Sequence, residues 1–445
     1  MLTPALFHVL RKNGAEQPDR DPVCTGRYIV RLGDLTQHHM TKTRLAALLA
    51  LALACTGCGP TSAGSSASSS PRAAATTSLP SPSASSDQAS SAQAAAESCP
   101  ARVYAGMTEA QRVGQLFIVG IAGDPNSVIA PAVATYHFGS LLFASTNTAG
   151  VSAVLAMSQA VQSMATTRAT AKTGFFIGAN QEGGEVQQLQ GPGFATIPSA
   201  VEQGQLPPAT LQKLAAHWGR ELKAAGVNLD LAPVLDVVPT ATQEQNQPIG
   251  VLDREYGHEP RTVTVHGVAF IRGMRQAGIA TTAKHFPGLG RVVLNTDFSS
   301  GVVDTITTPN DPYLSTYQAA INVGVPFVMV SLATYARIDP HHLAAFSSLV
   351  MRTILRQQMH FRGVIISDDL GAAAAVAAVA PPTRAIDFLT AGGDMITSAS
   401  LPAAEVMATE VLRRADANAA FRSDVESADM RILAAKQSSG LLPCG

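Results

Sequence analysis

The chain has 445 residues, 46% hydrophobic and 14% charged, which suffices for two or three ordinary domains or for one large α/β barrel. Its 31 basic and 32 acidic side chains leave a net charge of −1, so the strongly basic face that nucleic-acid binding needs is absent. Aromatic residues make up 5%, with Trp218 the single tryptophan, which argues equally against a base-stacking platform. Of the five cysteines only Cys55 and Cys58 form a CxxC, and no second Cys or His pair follows at zinc-finger spacing, so a structural zinc site is not expected. No run approaches the roughly twenty apolar residues of a membrane-spanning helix.

In chain order, residues 1–39 read as a polar leader without sustained periodicity, disordered or foreign to the native protein. Met40-Thr41-Lys42-Thr43-Arg44 then precedes the apolar run from Leu45 to Ala54 and two cysteines, Cys55 and Cys58. A short basic stretch followed by roughly ten apolar residues has the form of a signal peptide. Ala52-Leu53-Ala54-Cys55 fits a bacterial lipobox better than Cys55-Thr56-Gly57-Cys58 does. Residues 40–58 therefore read as a lipoprotein signal with Cys55 as the lipidated residue and Met40 as the expected start. An ordinary secretory signal is the alternative. Residues 59–98 are almost wholly Ser, Ala, Thr, Pro and Gln, too poor in large apolar side chains to offset the entropy of ordering. They read as a flexible tether between membrane and folded body. The protein is thus expected to be exported and held at the bacterial cell membrane by a lipid anchor alone.

The body, residues 99–445, alternates short continuous apolar runs with longer helical stretches. Eight runs read as strands buried on both faces: 115–121, 140–144, 174–179, 228–232, 280–284, 327–331, 363–367 and 394–397. Thr108 with Gln111 forms a capping box ahead of the first. Leu211, Leu214, Ala215, Trp218 and Leu222 recur at helical spacing and stop at Gly226, and the stretch from Arg261 to Ala277 ends in the same way at Gly278. Eight strand–helix units predict an α/β fold, a single (β/α)8 TIM-like barrel with enlarged loops. An open doubly wound sheet is the alternative, weakened because no GxGxxG follows an early strand.

In such a barrel the first and eighth units are neighbours, so the two chain ends of the body lie close together. Cys99 and Cys444 bracket that body, and in an oxidising compartment they are the expected disulfide. Cys58 is the competing partner, and two free thiols are the other reading.

Chemistry in a barrel collects where strands end. The third strand runs into Asn180-Gln181-Glu182-Gly183-Gly184, the fourth into Ala232-Pro233-Val234-Leu235-Asp236, the fifth into Lys284-His285-Phe286-Pro287-Gly288 and the seventh into Ser367-Asp368-Asp369-Leu370. Any one polar residue there can simply cap a helix. Several converging on one mouth indicate a site.

These four strings, in this order, resemble the bacterial β-N-acetylglucosaminidases of glycoside hydrolase family 3, and the resemblance covers the body from about Cys99 onward. It implies a retaining exo-β-glycosidase acting on terminal N-acetylglucosamine of cell-wall-derived or related glycans, with a carbohydrate substrate and no cofactor. It makes Asp368 the nucleophile that forms a covalent glycosyl-enzyme. Asp369 is then structural. Asn180, Arg254, Lys284 and His285 fall at positions that hold the sugar. From the residues alone, Lys284 also reads as a buried ion-pair or Schiff-base lysine, and His285 as a core histidine.

Three departures stand out. Asn180 and Gln188 replace an Asp and an Arg of the family pattern, which removes charged sugar contacts and opens the possibility of a different β-glycoside. Leu289 replaces a frequent polar residue. Most telling is the loop after Lys284, where Asn295-Thr296-Asp297 stands in place of Asp-Ser-His: Asp297 occupies the position of the acid/base histidine and Asn295 that of its orienting carboxylate. Either Asp297 serves as the proton donor, as carboxylic acids usually do in glycoside hydrolysis, or the loop has lost its role and the protein is a sugar-binding lipoprotein. The oligomeric state is not legible.

Overall fold

A computed structural model describes residues 98–121 and 125–444. The leader, the signal segment with Cys55 and Cys58, and all but the last residue of the tether lie outside the described residues.

Eight parallel strands form the centre: β1 (Phe117–Ile121), β2 (Ser140–Phe143), β3 (Phe176–Ala179), β4 (Leu229–Asp230), β5 (Ala280–Phe286), β6 (Phe327–Val330), β7 (Val364–Ser367) and β8 (Ile396–Ser398). Each pairs with its neighbours in sequence, from Ile118 opposite Ser140 round to Val364 opposite Phe327. β1 and β8 are joined with Phe117 opposite Ile396. A bridge between Ile366 and Met395 completes the ring. Only Ala280, at the start of β5, is partly exposed; every other strand residue is buried. That double burial is why the strands appear in the sequence as unbroken apolar runs.

The differences from the sequence reading lie at strand edges and have local causes. β1 starts two residues late because Gln115 ends the helix Glu109–Gln115, whose N-terminus carries the Thr108–Gln111 capping box. β4 is short because Pro233, with no N–H, cannot extend the ladder, although Leu231 N still donates to Ala179 O. At β8, Asp394 pairs with Arg356 and Arg431 before the strand begins. Helix Pro208–Ala224 buries Leu211, Ala215, Trp218 and Leu222 along one face, and Trp218 meets Phe270 of helix Pro260–Ala277. Gly226 and Gly278 follow these helices with φ of 74° and 82°, conformations that favour glycine.

At the N-terminal end of the barrel, helix Ala419–Ser438 inserts Lys436, whose Nζ donates to Gln115 Oε1 at 2.6 Å and Gly139 O at 2.7 Å. Helix Cys99–Gly106 packs beside it through Val103, Met107 and Leu433. Cys99 and Cys444 are joined by a disulfide with Cα atoms 6.0 Å apart.

Candidate active site

At the opposite, C-terminal end of the barrel, β3 and β5 deliver a buried polar cluster. Glu182, just past β3, accepts both arms of the Arg254 guanidinium at 2.7 Å and lies 2.5 Å from Lys284 Nζ. Burial pushes its carboxyl up, but the adjacent Arg254 and Lys284 outweigh that and hold it at about 2. Lys284 also donates to Asn180 Oδ1 at 2.7 Å, and Arg254 donates its remaining arm to Pro248 O. The turn carrying these groups is rigid. Gln181 exchanges two side-chain bonds with the backbone of Leu189, and Gln188 Oε1 accepts the Asn180 N–H at 2.8 Å. Gly183 has φ of 105°, and a Cβ there would sit 2.1 Å from Pro198 O, so the turn requires glycine.

His285, the next residue of β5, is set by Asp236 from the end of β4. Asp236 Oδ2 meets His285 Nδ1 at 2.8 Å, while Oδ1 accepts from Tyr317 Oη at 2.7 Å and from the backbone of His285 and Leu289. Burial raises the Asp236 carboxyl, and His285, Tyr317 and the backbone donors bring it below the usual carboxylate range. That anion fixes the imidazole tautomer, leaving the other ring nitrogen free of Asp236.

Asp368 stands at the end of β7, its N–H bonded to Val330 O and its Oδ1 accepting the Asp369 N–H. Asp369 Oδ1 accepts three backbone N–H groups, from Gly371, Ala372 and Ala399, and so ties the β7 and β8 loops together. Asp369 is a structural residue of this rim.

Asp297 lies on the loop after β5. Its side chain is exposed to solvent on one side and crowded by protein atoms on the other. That crowding, then the Asp368 carboxylate, push its carboxyl up to about 6, against the opposing pull of Arg254 and His285. The loop is held at several points. Asn246 Nδ2 donates to Leu289 O and Val292 O, and Gln247 N donates to Val293 O. Ala375 N and Ala374 N, on the loop after β7, donate to Thr296 O and Asp297 O. Gly290 permits a close approach, since a Cβ there would lie 2.0 Å from Val237 O.

Of the residues singled out in the sequence, Asn180, Arg254 and Lys284 share one polar cluster around Glu182, His285 is held beside it by Asp236, and Asp297 interacts electrostatically with Asp368, Arg254 and His285. Lys284 is a buried ion-pair lysine, as one reading of the residues alone expected. Asn295 does not orient the Asp297 carboxyl; its Oδ1 accepts the Asp297 N–H and shapes the turn. Glu182, Asp236 and Tyr317 were not picked out from the sequence, although Glu182 and Asp236 stand inside the strings that marked the site. Asp230 was missed as well: it is buried beneath the cluster, and burial raises its carboxyl to about 7 against the Gln181 N–H and Lys284. Among the described residues, no group of three or more His, Cys, Asp or Glu side chains is placed to hold a metal ion.

Two interacting carboxyl groups, one of them with its proton affinity raised by the other, beside a buried hydrogen-bonding cluster suit the hydrolysis of a glycosidic bond. Comparison with known proteins agrees. A β-hexosaminidase of Stenotrophomonas maltophilia is 33% identical over 240 residues, 52% of this chain and 68% of its own length. A β-N-acetylhexosaminidase from Beutenbergia cavernae DSM 12333 superposes with a TM-score of 0.73 at 44% identity, covering 74% of this chain and 99% of that one. A family 3 β-N-acetylglucosaminidase from a Paenibacillus strain, 25% identical, gives 0.69 over 75% of this chain and 63% of its own. The sequence model of the glycosyl hydrolase family 3 N-terminal domain matches residues 108–435. The chain belongs to glycosyl hydrolase family 3 and is a glycoside hydrolase built on a (β/α)8 barrel.

Proposed function

We propose that the protein is a retaining exo-β-N-acetylglucosaminidase in which Asp368 is the nucleophile and Asp297 the acid/base. The observation that carries this reading is the pairing of Asp368, at the end of β7, with Asp297, whose backbone carbonyl accepts the Ala374 N–H of the loop after β7; the Asp368 carboxylate is the main charged group that raises the Asp297 carboxyl to about 6. The substrate follows from the relatives' N-acetylhexosaminidase activity. In the first step an Asp368 carboxylate oxygen attacks the anomeric carbon, the bond to the leaving-group oxygen breaks, and Asp297 gives its proton to that oxygen. In the second, Asp297, now a carboxylate, takes a proton from water as the water oxygen displaces Asp368 and releases the sugar. Asn180, Arg254, Lys284 and His285 bind the sugar hydroxyls, with Glu182 and Asp236 holding them in place. No step calls for a cofactor.

A 2-fluoro-sugar with a good leaving group tests the assignment. Peptide mapping is expected to find the label on Asp368 alone, and Asp368→Asn is expected to cut turnover by about 10⁴-fold or more while the protein stays folded. Label on Asp369 overturns the assignment. Sugar binding with no label and no turnover makes the protein a binder. Export and a lipid anchor at Cys55 are part of the same proposal, supported by the signal-like segment and by a disulfide of the kind oxidising compartments preserve. Mass spectrometry of the membrane-extracted protein, showing an acylated N-terminal Cys55, is the corresponding test.

A further inference from the structure

The polar groups of the mouth are unevenly placed. Asn180, Glu182, Arg254, Lys284 and His285 crowd the β3–β5 side, whereas the loop after β5 that carries Asp297 is flanked by apolar side chains turned to solvent. Phe298, the residue after Asp297, exposes 65% of its surface, and Val293 and Leu294, just before Asn295, expose 55% and 41%. This exposure does not come from fraying, because the same stretch is bonded on both sides to residues 246–247 and 374–375. The segment that holds it across the cleft, Ala372-Ala373-Ala374-Ala375, has no polar side chain at all. An acid that protonates the glycosidic oxygen must face the leaving group, so the loop that carries it borders the space that the leaving group occupies.

We infer that Phe298, with Val293 and Leu294, forms an apolar platform for the leaving group, selecting β-glycosides whose departing portion presents a flat, ring-sized apolar face. The inference rests on Asp297 being the acid/base. Its chemical sense is an economy of recognition: hydrogen bonds on the β3–β5 side fix which sugar is cleaved, while a ring face meeting Phe298 adds affinity without fixing hydroxyl positions. A leaving group is thereby held over Asp297 and expelled once detached, since the platform makes no hydrogen bond to it.

Uncleavable thioglycosides separate this platform from the hydrolase reading. Calorimetric titration with phenyl and methyl 1-thio-β-N-acetylglucosaminides is expected to show the phenyl compound binding about tenfold tighter to the wild-type protein. In Phe298→Ala that ratio is expected to fall close to one, and in Phe298→Trp to return. No phenyl preference in the wild type, or a preference that survives Phe298→Ala, overturns the platform. So does a dimer in sedimentation that Phe298→Ala splits, because the patch then serves a second copy. Hydrolysis of N-acetylglucosaminyl fluoride, whose leaving group is too small to reach the platform, reports separately on the hydrolase reading. A wild-type protein that leaves this fluoride intact overturns the hydrolase reading and the leaving-group platform with it, whereas hydrolysis of the fluoride without a phenyl preference overturns the platform alone.

Discussion

Asp297 and Asp368 are chemically identical side chains to which the proposed mechanism gives opposite duties. Asp297 sits in the crowded mouth facing another carboxylate, so its proton is held to about pH 6. The sign follows directly. A carboxyl raised in the folded state contributes stability that is complete below its unfolded value near 4 and is lost as pH rises through about 6. The same titration removes the general acid, so kcat/KM is expected to fall on the alkaline side of about pH 6. Asp297→Asn is expected to raise the melting temperature at pH 7.5 and leave it unchanged at pH 4. It should also cut kcat/KM by about 10²–10⁴-fold on poor leaving groups and far less on activated aryl glycosides. Equal losses across leaving groups, with the alkaline limb intact, would remove Asp297 from the acid/base role. At this scale the sequence pointed to strand-end residues that the fold brings together but not to how they are coupled. Glu182 was overlooked because its partner Arg254 lies 72 positions away, and nothing local announces a carboxylate that holds two cations. Asp236 was overlooked for the same reason: its bond to His285 spans 49 positions.

Whole elements were more legible than their contacts. The eight strands could be read because burial on both faces demands continuous apolar runs, and the helices because Gly226 and Gly278 punctuate them. The short pairs were not. Gln181–Gly183 with Val186–Gln187, and Thr334–Tyr335 with its partners, are too brief to show an alternating pattern. Those additions belong to the loops, and the loops carry the chemistry. The Asp297 loop is held to the β7 loop by the Ala374 and Ala375 N–H groups, where Ala374 is the first residue of the short helix Ala374–Val376. A first helical position tolerates proline, and Ala373, with φ −61° and ψ 137°, already has the extended conformation that a following proline requires. Ala374→Pro should therefore fold normally while losing one hydrogen bond, worth about 0.5–1.5 kcal/mol. With Asp297 less firmly placed, kcat/KM on poor leaving groups is expected to drop about three- to tenfold, with fluoro-sugar labelling of Asp368 slowed much less. Unchanged kinetics would show that the backbone bond to Asp297 does not position its carboxyl.

The molecule as a whole places its chemistry and its fastenings at opposite ends of one barrel. The C-terminal mouth carries the carboxyl pair, and the N-terminal end is filled by Lys436, whose ammonium burial lowers to about 7 even though Asp429 lies near. Lys436 nonetheless has two backbone and side-chain acceptors, so helix Ala419–Ser438 is fixed to β1 and β2 independently of any covalent link. The Cys99–Cys444 disulfide fastens what remains. It joins helix Cys99–Gly106 to the segment that follows the last helix, over a small apolar cluster of Val103, Met107 and Leu433. Its ends are 345 positions apart, and closing so long a loop is worth at most about 5–6 kcal/mol in the chain-entropy model. Spread over a body of this size, that corresponds to a fall in melting temperature of about 7–8 °C. Cys444→Ser is expected to lose less than this, because Lys436 and the Gly174 N–H bond to Leu441 O keep the last helix and the chain just beyond it in register. Hydrogen exchange should quicken over residues 99–107 and stay slow in β1–β8, with glycosidase activity unchanged at 25 °C. Faster exchange throughout the barrel strands would mean that the staple holds the whole ring and not only its first helix.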